Sequence, residues 1–200
     1  NNTAGSIYVG DGSVVQGNRI EGYADLGFWG IQSTGAVTIS RNWLLGNAYG
    51  IQTYGGSVQG NLIANTPGVG LEIHGNVGVS NNTVTGIGDN AIVIVEGTPT
   101  IQGNNLEGNT GTYDIENQTA NNIIADGNWW GTTDASAIAL RIYDYYDGVT
   151  TLGKVNYSPA ASGPIQTAPA YVRPVTLDPA SPVGIETVTF EVEFSRPMDT

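Results

Sequence analysis

An asparagine recurs along this chain at nearly constant spacing, with glycine and a short apolar run around most copies. The spacings between successive copies are 24, 19, 21, 22 and 24 residues, an average of 22. A repeat of this length indicates stacked units, because one unit is too short to bury a hydrophobic face by itself. The six copies are Asn18, Asn42, Asn61, Asn82, Asn104 and Asn128.

Apolar residues keep fixed positions relative to these asparagines. Three residues before each copy stand Val15, Ile39, Val58, Val79, Ile101 and Ala125, and two residues after it stand Ile20, Leu44, Ile63, Val84, Leu106 and Trp130. The residue two before each copy is polar, so inward and outward positions alternate as in a β-strand. A second strand pattern recurs in the coils, with Ile31, Ile51, Leu71, Ile92 and Ile115 as its inward residues.

This pattern predicts an all-β fold, a single-stranded parallel β-solenoid of about 22 residues per coil. Stacked coils place like residues about 4.8 Å apart along the axis. We expect the asparagines to form a ladder at one corner, where they adopt the left-handed backbone conformation and bond from coil to coil. Their role is then structural.

The in-register coils resemble the right-handed parallel β-helix repeats of pectate-lyase-like proteins and of large bacterial and archaeal surface proteins. The similarity covers roughly residues 1–165. The segment "NNIIADGNWWGTTDASAIALRIYDYYDGVTTLGKVNYSP" resembles the end of β-helix regions in secreted multidomain proteins. This resemblance implies an extracellular, modular and often non-catalytic region.

A short helix is predicted within that closing segment. Asp134 or Thr133 can cap a helix over residues 135–143, with Ile138 and Ile142 on one face. We expect this capping helix to cover the open end of the solenoid, since an uncovered end favours aggregation.

The composition changes after residue 165. Residues 166–174 read as a proline-rich linker, and residues 175–200 as a separate β region. There Val188, Phe190, Val192 and Phe194 alternate with polar residues, which predicts a half-buried strand. Together with "FSRPMD", this region resembles the first strands of a bacterial immunoglobulin-like (Ig-like) β-sandwich. The domains predicted are therefore 1–165, 166–174 and 175–200.

Charge restricts the partners. The formal net charge of −12 repels nucleic acid and anionic lipid, so we expect no nucleic-acid partner. No apolar run has the length needed to span a bilayer, and membrane insertion is not expected. This charge favours cations and neutral sugars as partners, and the resemblance to modular surface proteins implies neighbouring domains, copies of the same protein and polysaccharides. The chain contains no cysteine, so disulfide bonds do not stabilise it.

Enzymes that share this fold place acids, or a base with calcium-binding aspartates, on adjacent coils. Here Glu72 and Glu116 occupy one outward column but Val93 separates them. The single histidine, His74, is expected to face solvent. The pattern favours a non-catalytic module and leaves enzyme status open.

Two binding hypotheses follow from individual side chains. Aromatic and polar residues that can contact sugar rings are Trp29, Trp43, Tyr54, Glu72 and His74. Asp144 and Asp147 in "YDYYDG" supply hard oxygen ligands, which makes Ca²⁺ a candidate ion at this turn, and no other cofactor is implied. Packing of loop aromatics and solvated turn carboxylates are the competing explanations.

The sequence therefore predicts a non-catalytic structural or adhesive module at the cell surface or outside the cell, a stiff segment of a surface, sheath or filament protein. The alternative is a domain on the same scaffold that binds or degrades polysaccharide, as a lyase or hydrolase.

Overall fold

The computed structural model describes residues 5–22, 27–173, 177–178, 189–190 and 192–198. The chain divides into two compact units, Asn1–Pro169 and Ala170–Thr200. Among the described residues, no helix combines the length and the apolar character that a membrane crossing requires.

The strands of the described residues are short and are numbered here in chain order. They are β1 (Ile7–Val9), β2 (Val14–Gln16), β3 (Arg19–Glu21), β4 (Trp29–Ser33), β5 (Val37–Ser40), β6 (Trp43–Leu45), β7 (Tyr49–Thr53), β8 (Gly56–Gln59), β9 (Leu62–Ala64), β10 (Leu71–His74), β11 (Val77–Ser80), β12 (Thr83–Thr85), β13 (Ile92–Glu96), β14 (Thr100–Gln102), β15 (Ile115–Asn117), β16 (Ile123–Ile124), β17 (Ile142–Tyr143), β18 (Val155–Asn156), β19 (Leu177–Asp178) and β20 (Thr189–Phe190). The helices are α1 (Ala135–Ala139) and a 3-10 helix over Tyr145–Asp147.

Three parallel sheets build the first unit. Sheet A has the order β1-β4-β7-β10-β13-β15-β17, sheet B the order β18-β16-β14-β11-β8-β5-β2, and sheet C the order β12-β9-β6-β3. From β1 to β12 the chain passes through A, B and C in turn and then returns to A, one winding further along the axis, and from β13 to β18 the named strands alternate between A and B. This arrangement confirms the predicted parallel β-solenoid.

The apolar columns lie in register. In sheet B, Val15 pairs with Ile39, which pairs with Val58, and the pairing continues to Val79 and Ile101. The second predicted inward column, from Ile31 to Ile115, is stacked in the same way in sheet A. Both columns are buried in one hydrophobic core. A slip of one residue would turn each column to solvent, so burial fixes the register.

The corner at the asparagines differs from the prediction in its backbone. The ladder asparagines themselves are not left-handed, whereas the residue before each of them is, with φ between 53° and 68°. Glycine occupies four of these positions, which matches its freedom at positive φ. The six left-handed residues are Gly17, Arg41, Gly60, Asn81, Gly103 and Gly127.

The helix near the end of the solenoid is shorter than predicted. Asp134 is its N-cap and accepts hydrogen bonds from the amides of Ser136 and Ala137. A hydrogen bond with the Ser136 side chain, together with these two amides, lowers the pKa of the Asp134 carboxyl. The helix ends at Ala139, because Ile142 joins sheet A as part of β17 and pairs with Ile115. That pairing satisfies backbone groups that a longer helix would have withdrawn from the sheet.

One arginine fixes this connection. The guanidinium of Arg141 lies 3.0 Å from the buried carboxylate of Asp114. It also donates to the backbone carbonyls of Asn109, Gly111 and Thr112. These contacts tie the last strand of sheet A to the loop of the preceding winding.

A short segment, residues 165–169, lies against the outer face of the solenoid and is called the strap here. The amide of Ile165 donates to Oδ1 of Asn105 at 2.7 Å, and Nδ2 of Asn105 donates back to the Ile165 carbonyl at 3.3 Å. The hydroxyl of Thr83 donates to the carbonyl of Pro169 at 2.6 Å. Within the predicted proline-rich linker, Pro169 accepts from Thr83 and the Thr167 hydroxyl donates to Asn81, so the start of that linker is bonded to the coils.

The second unit contains an antiparallel pair, β19 with β20, and an antiparallel bridge between Val172 and Phe194. Val192 and Phe194 are about half exposed, at 51% and 44%. They were predicted to face inward, but no second sheet is present among the described residues of this unit to cover them. Most of the predicted Ig-like region lies outside the described residues, and that assignment stays a prediction.

Candidate functional site

The asparagine ladder runs along one corner as an unbroken chain of hydrogen bonds. From Asn18 to Asn104, each side-chain Nδ2 donates to Oδ1 of the next ladder asparagine at 2.9–3.1 Å. The backbone amide of the same residue donates to that same oxygen at 2.8–3.0 Å. From Asn42 onward, Nδ2 also donates to a main-chain carbonyl of the preceding winding at 2.7–3.0 Å.

Burial gives this ladder its structural role. The ladder residues from Asn42 to Asn128 are 0% exposed. Each amide therefore meets all of its hydrogen-bonding needs inside the protein, as buried polar groups must. The arrangement joins consecutive windings and leaves no ladder group from Asn42 to Asn128 directed at a ligand.

A second row of polar side chains runs along the outer face of sheet A. It is called the polar row here and consists of Gln32, Gln52, Glu72 and His74. Gln32 donates to Gln52, and Gln52 donates to Oε1 of Glu72, each at 2.6 Å. Nε2 of His74 lies 2.7 Å from the same Glu72 oxygen. Parallel pairing positions these residues, because equivalent places on β4, β7 and β10 are adjacent in the sheet.

An aromatic ring lies beside this row. The ring of Tyr54 stacks on the imidazole of His74, with centroids 4.4 Å apart and planes at 12°. The side chains of His74 and Glu72 remain 16% and 22% exposed. His74 is thus more enclosed than the predicted solvent-facing histidine, because the Tyr54 ring and Glu72 lie against it.

The register of sheet A changes at His74. A shift between Ile73 and His74 places Glu96 opposite the histidine, where strict alternation would have placed Val95. Bulges of this kind redirect side chains and are frequent near functional sites. Glu116, the other carboxylate predicted in the Glu72 column, is bonded instead to Asn90 and Gln118.

The remaining predicted sugar-contact residues pack on neighbours other than Tyr54, Glu72 and His74. Trp29 begins strand β4 and packs on Tyr49, with centroids 5.0 Å apart. Trp43 lies in sheet C, 46% exposed, and the Arg19 guanidinium is 6.0 Å from its ring. The structure therefore brings together Tyr54, Glu72 and His74 but not the two tryptophans.

The ion pair near Trp43 is exposed. Nε of Arg19 lies 2.8 Å from Glu21. This hydrogen bond lowers the pKa of the Glu21 carboxyl and raises the pKa of Arg19. Pairs of this kind add little to stability.

The predicted calcium ligands have capping roles. Asp144 accepts hydrogen bonds from the amides of Tyr146 and Val155, at 2.8 Å and 2.6 Å. Asp147 accepts one from the amide of Asp144 at 2.9 Å, which completes a capping box around the 3-10 helix. In the part of the chain that the structure describes, no group of three or more His, Cys, Asp or Glu is placed to hold a metal. Calcium binding stays a prediction.

Gln32 and Gln52 were not predicted as site residues. The sequence contains a pattern that relates them to the site, because both hold the same repeat position as Glu72. Amide side chains in that position are also what a merely solvated face would carry, so sequence alone did not distinguish the two.

The family model described as right handed beta helix region matches residues 1–82. Together with the parallel sheets, this match supports a right-handed β-helix repeat. No curated protein and no solved structure shows a significant match to this chain.

Proposed function

We propose that this right-handed β-helix is a non-catalytic extracellular module, a stiff or adhesive segment of a larger surface, sheath or filament protein. The observation that carries the proposal is the continuity of the asparagine ladder. Side-chain amides bond through every winding from Asn18 to Asn128, in addition to the backbone pairing of the sheets.

Stiffness follows from this double connection. Bending or shearing the solenoid between two windings would stretch backbone hydrogen bonds and the ladder bonds of that step together. The ladder bonds are buried, so water cannot replace them as they open. A rod with these properties suits a load-bearing or spacing role.

We include in this proposal the two elements predicted to follow the coils, the capping helix and the Ig-like region. Helix α1 covers the last windings, which is supported by the burial of Ile138 and by the bond from the Tyr157 hydroxyl to the Ala135 carbonyl. The region after residue 174 is an Ig-like neighbour that links the solenoid to other domains. Copies of the same protein and polysaccharides are its partners.

A second candidate function is contact with polysaccharide at the polar row, as a binding or degrading domain. Tyr54 stacked on His74, beside the Glu72 carboxylate, favours it. An aromatic face and a carboxylate are groups that recognise sugar hydroxyls and C–H faces. Carboxylate and imidazole are also the side chains of general acid–base catalysis.

Incubation with a panel of neutral and acidic polysaccharides separates the two functions. Reducing ends report hydrolysis, and absorbance of unsaturated uronates reports lyase activity. The structural proposal predicts no turnover by the native chain. Turnover that Glu72→Gln or His74→Ala abolishes, and that Trp43→Ala leaves unchanged, would replace it with the catalytic alternative.

A mechanical measurement tests the structural role directly. Single-molecule pulling of the chain should show resistance along the solenoid, and Asn82→Ala should lower the force at which it opens. Equal forces for the native chain and the variant would show that the ladder does not contribute to the mechanical resistance of the solenoid.

A further inference from the structure

A cleft lies near the end of the solenoid, away from the polar row. Its volume is about 780 Å³. Three tyrosines line it, together with apolar and hydroxyl groups and two carboxylates. The lining residues that matter for recognition are Tyr113, Tyr146, Tyr157, Leu140, Ser136 and Asp147. We call it the tyrosine cleft.

Two of the tyrosines are held in place by their neighbours. The ring of Tyr157 packs edge-on against Trp130, and its hydroxyl donates to the carbonyl of Ala135 at 3.2 Å. Tyr113 packs on Tyr143, with ring centroids 5.3 Å apart. Aromatic rings fixed in this way bind a ligand without losing much side-chain entropy.

The third tyrosine is the most open. Tyr146 is 73% exposed, although its backbone amide is bonded to Asp144. The ammonium of Lys154 lies 5.0 Å from its ring, and the hydrogen bond with Tyr146 raises the pKa of Lys154. Leu140, beside the cleft, is 79% exposed. Apolar groups that are exposed together around a cleft form the kind of patch that marks a ligand or interaction site.

The polar residues that line the cleft limit the charge that a ligand can carry. Asp147 uses Oδ2 for the Asp144 amide, and its carboxylate is at the surface. Ser136 and Thr112 add hydroxyl groups. The two lining carboxylates outnumber the Lys154 ammonium beside Tyr146, and the chain carries a net charge of −12, so an anionic ligand is disfavoured.

We propose that the tyrosine cleft binds a neutral glycan, with tyrosine rings against the sugar C–H faces and Asp147 accepting from sugar hydroxyls. Rings combined with a few polar groups, in a cleft of this size, fit a short stretch of such a chain. The inference goes beyond the structural role proposed above, and it concerns different residues from the polar row.

Titration calorimetry of the whole chain with cellohexaose, laminarihexaose and mannohexaose tests this inference, with hexagalacturonate as the acidic comparison. At least one neutral hexasaccharide should bind saturably at one site. Tyr146→Ala should weaken that binding about tenfold, the value expected for one lost aromatic contact. Tyr146→Phe should keep it to within about twofold, because the ring remains.

A matched variant separates this site from the polar row. Tyr54→Ala removes the ring stacked on His74 and should leave affinity at the tyrosine cleft unchanged. Since Tyr146 is mostly exposed, its variants should have the same thermal unfolding temperature as the native chain, which circular dichroism can measure.

Three results would overturn the inference. They are the absence of saturable binding by all three neutral probes, tighter binding of hexagalacturonate, and binding lost in Tyr54→Ala but kept in Tyr146→Ala. None of them bears on the force measurement, so the structural proposal is tested independently.

Discussion

Two rows of hydrogen-bonded side chains run along this solenoid, and water reaches them to different degrees. The asparagine ladder is sealed in a corner, with 0% exposure from Asn42 to Asn128. The polar row on sheet A has the same kind of chain, from Gln32 to Glu72, but stays partly open to solvent. The chemistry of the bonds is similar, so burial decides which row holds the fold and which row can meet a ligand.

The largest effect is expected from breaking the ladder at its centre. Asn82→Ala removes the acceptor for the Asn61 amide and the donor to the Val58 carbonyl, both buried. Leaving such groups unsatisfied should lower the free energy of unfolding by about 3 kcal/mol. Urea denaturation measures the change, with Ser80→Ala in the same winding as the control. A loss below about 1 kcal/mol would mean that the ladder is not the main tie between windings.

A smaller loss is expected at Asn105, a buried amide outside the ladder. Asn105→Ala removes the bonds that hold the strap through Ile165. The strap can move away and rehydrate, so the cost should be about 1 to 2 kcal/mol. Hydrogen exchange at the Ile165 amide should become faster. If that exchange is unchanged while stability falls, burial of Asn105 itself, and not the strap, is the cause.

The end of the ladder gives a graded test of burial. Asn18 is only partly buried, and the acceptor that its Nδ2 uses on Asn42 is also bonded to the Asn18 backbone amide. Asn18→Ala should therefore cost about 0.5 to 1 kcal/mol in urea denaturation. A cost as large as that of Asn82→Ala would show that position in the ladder matters more than exposure.

The polar row should contribute least to stability. Gln52→Leu breaks the bonds to Gln32 and Glu72, but water can reach the groups left behind. The expected change in unfolding free energy is within about 0.5 kcal/mol. Thermal unfolding, with Gln59→Leu on sheet B as a matched exposed glutamine, measures it. A loss of several times this size would give the polar row a structural role equal to that of the ladder.

Most of the solenoid was predictable because its information repeats. The columns through Ile39 and Ile51 follow from residue spacing alone, and each winding gives the same evidence again. The predicted reason for the asparagines was partly wrong. Their bonds were anticipated, but the left-handed position belongs to the preceding residue, as at Gly60. A Gly-Asn pair is compatible with a left-handed backbone at either of its two residues, so the spacing of the asparagines did not identify which residue adopts it.

The grouping of site residues was harder to predict. Tyr54, Glu72 and His74 meet because parallel pairing brings β7 beside β10, and that pairing follows from the repeat. The shift that places Glu96 opposite His74 depends on one extra residue in β13, and the repeat pattern does not predict that residue. Trp43 faces outward from a different sheet, a distinction that a list of aromatic residues does not contain.

The sequence by itself determined the period, the inward columns and the corner asparagines, because each is a local pattern that recurs at every winding. Tertiary structure alone decided the path of the strap, the hydrogen bond from the Val155 amide to Asp144 and the tyrosine cleft. These features join residues that occur once and lie far apart in the chain. Their contacts depend on how the last windings fold back on one another, and no periodicity records that.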